Sequence, residues 1–351
     1  VHLEIIGRSR YGKSTFLEHE ILNAPGGFVF LDPHGHSAER IADTIPCVYW
    51  DASETGIGFN PLKDTKGQAH VVASQVVYAI KAVAGEQSWG PRLNWFLYQA
   101  VRLAIDNNGT LLDIPKILTD KSFRQKCLRR STYSSFWEQQ FEPLDDRYRN
   151  EAIAPILNKV GMFDANPLLN AILSHNTINF SKVMEKGQRV VVNLAKGKLG
   201  EEPSYLLGAL IVSSLYSAAQ SRPVGSPQFD LFADEFQNFA TQSFADILSE
   251  AGKYGLNLTL CHQYLDQLSE ELVPAVFANV SKIVAFNVSA EDAEFLGKEM
   301  DLAPEALADL PPYRIWVKVG IGRDWRDTEP PVPVQGRLEA NRRHTRANYV
   351  P

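Results

Sequence analysis

The chain has 351 residues, 44% apolar and 22% charged, which allows two domains and a sizeable core. No window approaches 18 consecutive apolar residues, which excludes a membrane-spanning helix within the sequence, and Cys47, Cys127 and Cys261 follow no regular spacing, which fits a reducing compartment better than a disulfide framework. The net charge of −6 excludes an overall basic nucleic-acid binder, though not a ring that confines its basic residues to a pore.

In chain order, the apolar residues Leu3, Ile5 and Ile6 form the first expected strand (3–6). Gly7 to Ser14 then read G-R-S-R-Y-G-K-S and lead into an expected helix over 14–22. A strand, a glycine-bounded turn ending in Gly-Lys-Ser, and a helix make a P-loop, the Walker A motif. Gly7 and Gly12 let the backbone aim its N–H groups at phosphate oxygens, and Lys13 adds a positive charge for the β and γ phosphates. Ser14 offers a hydroxyl to Mg²⁺, and Arg10, Tyr11 and Thr15 complete the expected nucleotide lining. ATP and Mg²⁺ are the expected cofactors.

Strands follow at 28–32 and 48–50, with a helix over 37–44 between them. Asp32 ends the first of these strands, either as an acid near the P-loop or as a strand-end cap. From 65 to 186 the pattern is helical, with Trp89, Trp95, Phe96, Tyr98, Phe136, Trp137 and Phe141 interleaved with charge. This stretch is read as an all-helical insertion within the nucleotide-binding domain. At helical spacing its aromatics form core, with base stacking as the alternative.

The strand–helix rhythm resumes with a strand at 189–194, the loop Lys196-Gly197-Lys198 as a candidate DNA contact, and a helix over 203–220. Phe229 to Ala233 is a mostly apolar run ending in Asp234-Glu235, which places two carboxylates at the carboxyl tip of a buried strand, where ligands bind in open α/β sheets. Asp234 is the expected magnesium anchor, with Ser14, and Glu235 the residue that polarises the attacking water. A helix over 242–253 precedes a strand at 256–260 with Cys261-His262-Gln263 at its tip. Gln263 can bond the γ-phosphate or the attacking water, while His262 reads as a packing residue, since no partners at metal-ligand spacing accompany it. Lys13, Glu235 and Gln263 are thus the expected catalytic set. Helices over 265–277 and 291–299 and strands at 282–288 and 314–319 complete the pattern. The alternation predicts an α/β fold with a mainly parallel, doubly wound sheet: residues 1–64 and 187–328 form the nucleotide-binding domain, 65–186 the insertion, and 329–351 an extended tail or an arm packing on a neighbour. The absence of a start methionine suggests a fragment whose amino-terminal part, a membrane anchor or another domain, is missing.

Several segments, in order, resemble one family. Phe30-Leu31-Asp32-Pro33-His34-Gly35, then Tyr49-Trp50-Asp51, then Gly58-Phe59-Asn60-Pro61-Leu62 are similar to the pattern of conjugative type IV coupling proteins (TraG/TraD-like) and their HerA and FtsK-like relatives. Asp234 to Phe239, D-E-F-Q-N-F, resembles the Walker B segment of that family, and Glu250 to Gln263 its sensor region. The likeness runs over roughly residues 1–320. It implies a RecA-like P-loop NTPase core of the ASCE type, with the sensor strand between the two Walker strands, and a hexameric ring with nucleotide between subunits and DNA in the channel. Two positions depart from it. Gly252 stands where relatives often have an arginine suspected of reaching the nucleotide, leaving Lys253, Arg323 and Arg326 as candidates for a trans-acting cation; His36 stands where an acid is common.

The resemblance implies an ATP-driven DNA translocase, cytoplasmic or held at the cytoplasmic face of the inner membrane by the absent segment, with a relaxase or secretion-channel components as partners. The alternatives are a type IV secretion ATPase that powers assembly or export without DNA, and a HerA-like DNA-end-processing translocase. A nucleotide-binding module without turnover is disfavoured because Asp234, Glu235 and Gln263 are all present.

Overall fold

Side chains on a strand alternate between faces, and the central strands here are buried on both, as parallel strands are. The computed structural model describes residues 2–54, 56–63, 68–84, 89–240 and 244–350, residue 84 by its backbone alone. Nine strands form one sheet: β1 (His2–Ile6), β2 (Gly27–Asp32), β3 (Val48–Asp51), β4 (Arg189–Asn193), β5 (Phe229–Asp234), β6 (Leu256–His262), β7 (Val280–Ala285), β8 (Arg314–Val319) and β9 (Gly322–Asp327). Their order is β3-β4-β2-β5-β6-β1-β7-β8-β9. The first seven in that order pair in parallel, and the β8–β9 hairpin adds antiparallel at the edge.

Helices cover both faces, so the sheet is doubly wound. On one face Leu3, Ile5, Phe28, Phe30, Phe232 and Cys261 pack with Phe16, Leu17 and Ile41 of the helices Lys13–Leu22 and His36–Thr44. On the other, Val29, Leu31, Val192, Leu231 and Leu258 share a core with the helices Ala69–Ala84 and Glu201–Gln220 and with the apolar residues of the segment expected to be helical. That segment is helical in its described residues, from Ala69–Ala84 through Pro91–Asp106 and Asp146–Ala165 to Phe180–Glu185. Positions 65–67 at its expected start, and 242 and 243 at the start of the expected 242–253 helix, lie outside the described residues. Trp89, Phe96, Phe136, Trp137 and Phe141 are buried as core, while Trp95 is 44% exposed and stacks on Tyr98.

Three expectations are corrected. The helix expected over 265–277 is a single turn, Leu265–Gln267, followed by a helix at Leu272–Asn279 whose Pro274 sits in the first turn, where a missing N–H costs nothing. Strand β9 is an addition: its residues are all exposed, so no apolar face marks it in the sequence. The tail is not extended throughout; Leu338–Tyr349 is a helix lying along edge strand β3 of its own chain. Its Asn341 accepts from Cys47 N at 3.2 Å and donates to the carbonyls of Ala42 and Ile45 at 2.6 and 2.8 Å, and Thr345 Oγ1 accepts from Tyr49 N at 3.0 Å. Polar side chains therefore satisfy the outward N–H groups of the edge.

Candidate active site

β6 lies between β1 and β5, so the strand ending at Gln263 runs between the strand before the glycine loop and the strand before the acidic pair. The register pairs Ile5 with Cys261 and Cys261 with Asp234. The P-loop and the acidic pair thus leave the same end of the sheet, two interstrand spacings or about 10 Å apart, within reach of facing side chains.

The loop is held tightly at both glycines. Gly7 has φ +153° and Gly12 +107°; a Cβ on Gly7 would lie 2.5 Å from Phe286 Cβ, and one on Gly12 2.9 Å from the Tyr313 ring. Arg8 N donates to Asn287 O at 2.8 Å, and Tyr313 N to Tyr11 O at 2.9 Å, which anchors the loop to the segments after β7 and before β8. Arg10 (φ 68°) is left-handed without being glycine, an uncommon and mildly strained conformation. Helix Lys13–Leu22 begins with no side-chain cap and no acid in its first turn, so its partial positive charge faces the loop. Lys13 is buried, with its ammonium donating to Arg8 O at 3.0 Å; Ser14 is exposed and Thr15 half-buried.

Asp234 is half-buried at the tip of β5. Burial, then the charges of Asp32 and Glu235, push its carboxyl up to about 7, while a hydrogen bond from Cys261 and the Lys13 charge act the other way. Asp32, Asp234, Glu235 and Lys13 therefore share one electrostatic neighbourhood. Asp32 itself is a strand-end cap: its two oxygens accept from His34 N at 2.8 Å and Ala38 N at 2.9 Å, fixing the start of helix His36–Thr44.

Glu235 also sits left-handed (φ 51°), which turns its side chain out of the strand direction. Its carboxylate accepts from Gln263 Nε2 and from Gln237 Nε2, each at 2.6 Å. Gln263 in turn accepts from Ser9 Oγ at 2.8 Å, and its backbone N–H donates to Gln267 Oε1 at 2.9 Å. A continuous path thus joins the glycine loop, Gln263 and Glu235. A cleft of about 310 Å³ opens beside it, lined by Arg8, Ser9, Gln263 and Tyr264 among others.

The expected residues Gly7, Arg10, Tyr11, Gly12, Lys13, Ser14, Thr15, Asp234, Glu235 and Gln263 gather at this one end of the sheet. Other named residues do not join them. Lys253 is exposed at the opposite end, before β6 begins; Arg323 pairs with Asp301, and Arg326 lies over the Phe16 ring, 6.0 Å from its centroid. His36 is exposed. Lys196 donates to Glu201 and Tyr205 and Lys198 to Ser53, so both loop lysines have partners within the chain. Ser9, Gln237 and Gln267 were not singled out in the sequence. A polar side chain within the P-loop, and amides two and four residues beyond Glu235 and Gln263, were the available signals.

A cradle that admits no Cβ, a buried lysine and an acid whose ionised form is disfavoured first by burial and then by its carboxylate neighbours suit a phosphate–magnesium pair.

No family model matches the chain, and no curated protein matches it in sequence. Solved structures match in fold. The plasmid coupling protein TrwB, in complex with ADP and Mg²⁺, aligns with TM-score 0.72 at 14% identity over 96% of this chain and 87% of that one. TrwBdeltaN70, in a form with sulphate, aligns with TM-score 0.74 at 14% identity over 96% and 87%. VirB4 of Thermoanaerobacter pseudethanolicus aligns with TM-score 0.66 at 11% identity over 94% and 89%. The chain therefore has the α/β fold of the conjugative coupling protein and of VirB4.

Proposed function

We propose that the chain is the ATP-hydrolysing motor domain of a ring-forming DNA translocase of the conjugative coupling type. The observation that carries this reading is the hydrogen-bonded path from Ser9 through Gln263 to Glu235, which spans the end of β6 and joins the phosphate loop to the hydrolytic acid. The fold likeness to TrwB and VirB4 supports it.

In this mechanism the loop amides and Lys13 bind the β and γ phosphates of ATP. Ser14 and Asp234 would hold magnesium, which supplies charge neutralisation for the phosphates when bound. Glu235, oriented by Gln263 and Gln237, accepts a hydrogen bond from the attacking water and takes up its proton. Gln263 touches both the loop and the acid, so loss of the γ-phosphate alters its bonds and is passed to Gln267 and the turn after β6. DNA would run through the channel of a hexamer, with a cation supplied by the neighbouring subunit.

The test is steady-state hydrolysis by an assembled oligomer at low salt. Glu235→Gln is expected to keep nucleotide affinity and lower kcat by about a hundredfold or more. Long DNA is expected to raise wild-type turnover several-fold. Turnover indifferent to single- and double-stranded DNA selects instead a secretion ATPase without DNA, the reading that the VirB4-like fold also accommodates. Full turnover in Glu235→Gln overturns the assignment of the acid.

A further inference from the structure

A carboxylate in the middle of a central parallel strand is costly, and Glu4 of β1 is completely buried. Its partner is His262, the last residue of β6 and equally buried; Nε2 of the ring is hydrogen-bonded to Glu4 Oε1. Register places Ile6 opposite His262 and Glu4 opposite Leu260, so the two side chains lie on the same face of adjacent strands. His262 makes two more contacts. Its Nδ1 lies 3.1 Å from Tyr264 O, the carbonyl just after Gln263, and its ring meets the Phe236 ring edge-on at 5.2 Å, directly after Glu235. Three segments meet on this imidazole: the strand that feeds the P-loop, the turn that carries Gln263, and the turn that follows Glu235.

The protonation of the pair follows from the acceptor. A backbone carbonyl only accepts, so Nδ1 carries a hydrogen and Nε2 faces Glu4. One proton is then shared between Nε2 and the carboxyl, as imidazolium with carboxylate or as imidazole with carboxylic acid. The pair is neutral in both arrangements and the bond persists in both. Glu4 Oε2 has no partner among the described residues, so the site is not optimised for stability. Buried polar pairs of this kind seldom outperform apolar residues of the same size, whereas they fix geometry well.

We infer that Glu4 and His262 are positioning residues for hydrolysis: they lock the end of β6 to the P-loop strand and so hold Gln263 where it bridges Ser9 and Glu235. The inference rests on the proposed roles of Gln263 and Glu235. Neither Glu4 nor His262 touches the nucleotide in this scheme. Glu4→Leu removes the link, whereas Glu4→Gln retains it by donating its amide to the Nε2 lone pair.

The experiment measures hydrolysis by wild type, Glu4→Leu, Glu4→Gln, Gln263→Ala and Glu4→Leu/Gln263→Ala, with backbone hydrogen exchange over residues 263–267. Expected are a roughly tenfold fall in kcat for Glu4→Leu with KM for ATP within about twofold, and recovery to within about threefold of wild type in Glu4→Gln. The double variant should be no slower than Gln263→Ala alone, because the link acts through that side chain. Exchange over 263–267 should rise in Glu4→Leu. Wild-type kcat in Glu4→Leu, or losses that simply multiply in the double variant, overturns the inference. If Glu4→Leu does not fold, Glu4→Met, which removes the carboxyl group on a side chain of similar length, replaces it with the same expected outcomes. If the wild type does not hydrolyse ATP at all, the motor reading falls by itself, and exchange alone decides the pair: unchanged protection over 263–267 overturns it.

Discussion

Gln263 donates through Nε2 to the Glu235 carboxylate at 2.6 Å while its own oxygen accepts from Ser9 at 2.8 Å. One side chain thus occupies both its donor and its acceptor in joining two turns from non-consecutive strands. An amide can do this because it carries both functions on a planar group; a glutamate in its place would set two carboxylates against each other. Glu235 is therefore tied through Gln263 to the glycine loop that precedes Lys13.

Gly7→Ala is expected to lower stability by about 2–4 kcal/mol and to abolish nucleotide binding. The added methyl would meet Phe286 Cβ at 2.5 Å and Asn287 O at 3.1 Å, and Asn287 is the residue that anchors Arg8. Thermal unfolding and titration with a fluorescent nucleotide check the two halves. An alanine variant that melts and binds like the wild type refutes the tight cradle.

The raised carboxyl of Asp234 sets the direction of a pH effect in chelated, nucleotide-free protein. Between about pH 4 and pH 7 the folded chain keeps a proton that the unfolded chain has released, so this group's contribution to stability falls as pH rises through that window. Asp234→Asn removes the penalty. It is expected to melt higher than wild type at pH 8, by about 1–2 kcal/mol after solvent screening, and equally near pH 4, while hydrolysis is lost. A variant less stable than wild type at pH 8 contradicts the electrostatic account.

Asn341→Ala is expected to cost about 2–4 kcal/mol in urea unfolding, because it strands the N–H of Cys47 and the carbonyls of Ala42 and Ile45 at a buried junction. Arg343 on the same helix is exposed, and Arg343→Ala serves as the control, with a change within about 0.5 kcal/mol.

The central sheet was legible because buried parallel strands leave continuous apolar runs, and residues 28–32 and 229–234 are of that kind. The turn from Gly7 to Ser14 was legible because the spacing of its glycines and lysine is specific. Strand β9, G-R-D-W-R-D, has no buried face, so nothing in its composition marks it as a strand. The helix Leu338–Tyr349 docks through Asn341 and Thr345 rather than through an apolar stripe, and periodicity analysis weighs only the latter. Glu4 was passed over as one polar residue in a short strand. Its position between Leu3 and Ile5 in a strand buried on both faces puts a carboxyl group where only another side chain can meet it, and the histidine at 262 is that partner. Gln263 was found from its place at a strand tip, but its grip on Ser9 depends on β6 lying beside β1, which no local pattern encodes.

The two borders of the sheet are unlike. On the β3 side Asn341 and Thr345 occupy the free amides, so no foreign strand can add there without first displacing the terminal helix. On the β9 side every residue is exposed among the described residues, and the border carries Arg323, Asp324, Arg326 and Asp327. Growth of a fibre by sheet extension needs an acceptor at each end of every unit. With one end plugged, stacking by strand addition among the described residues stops at a pair.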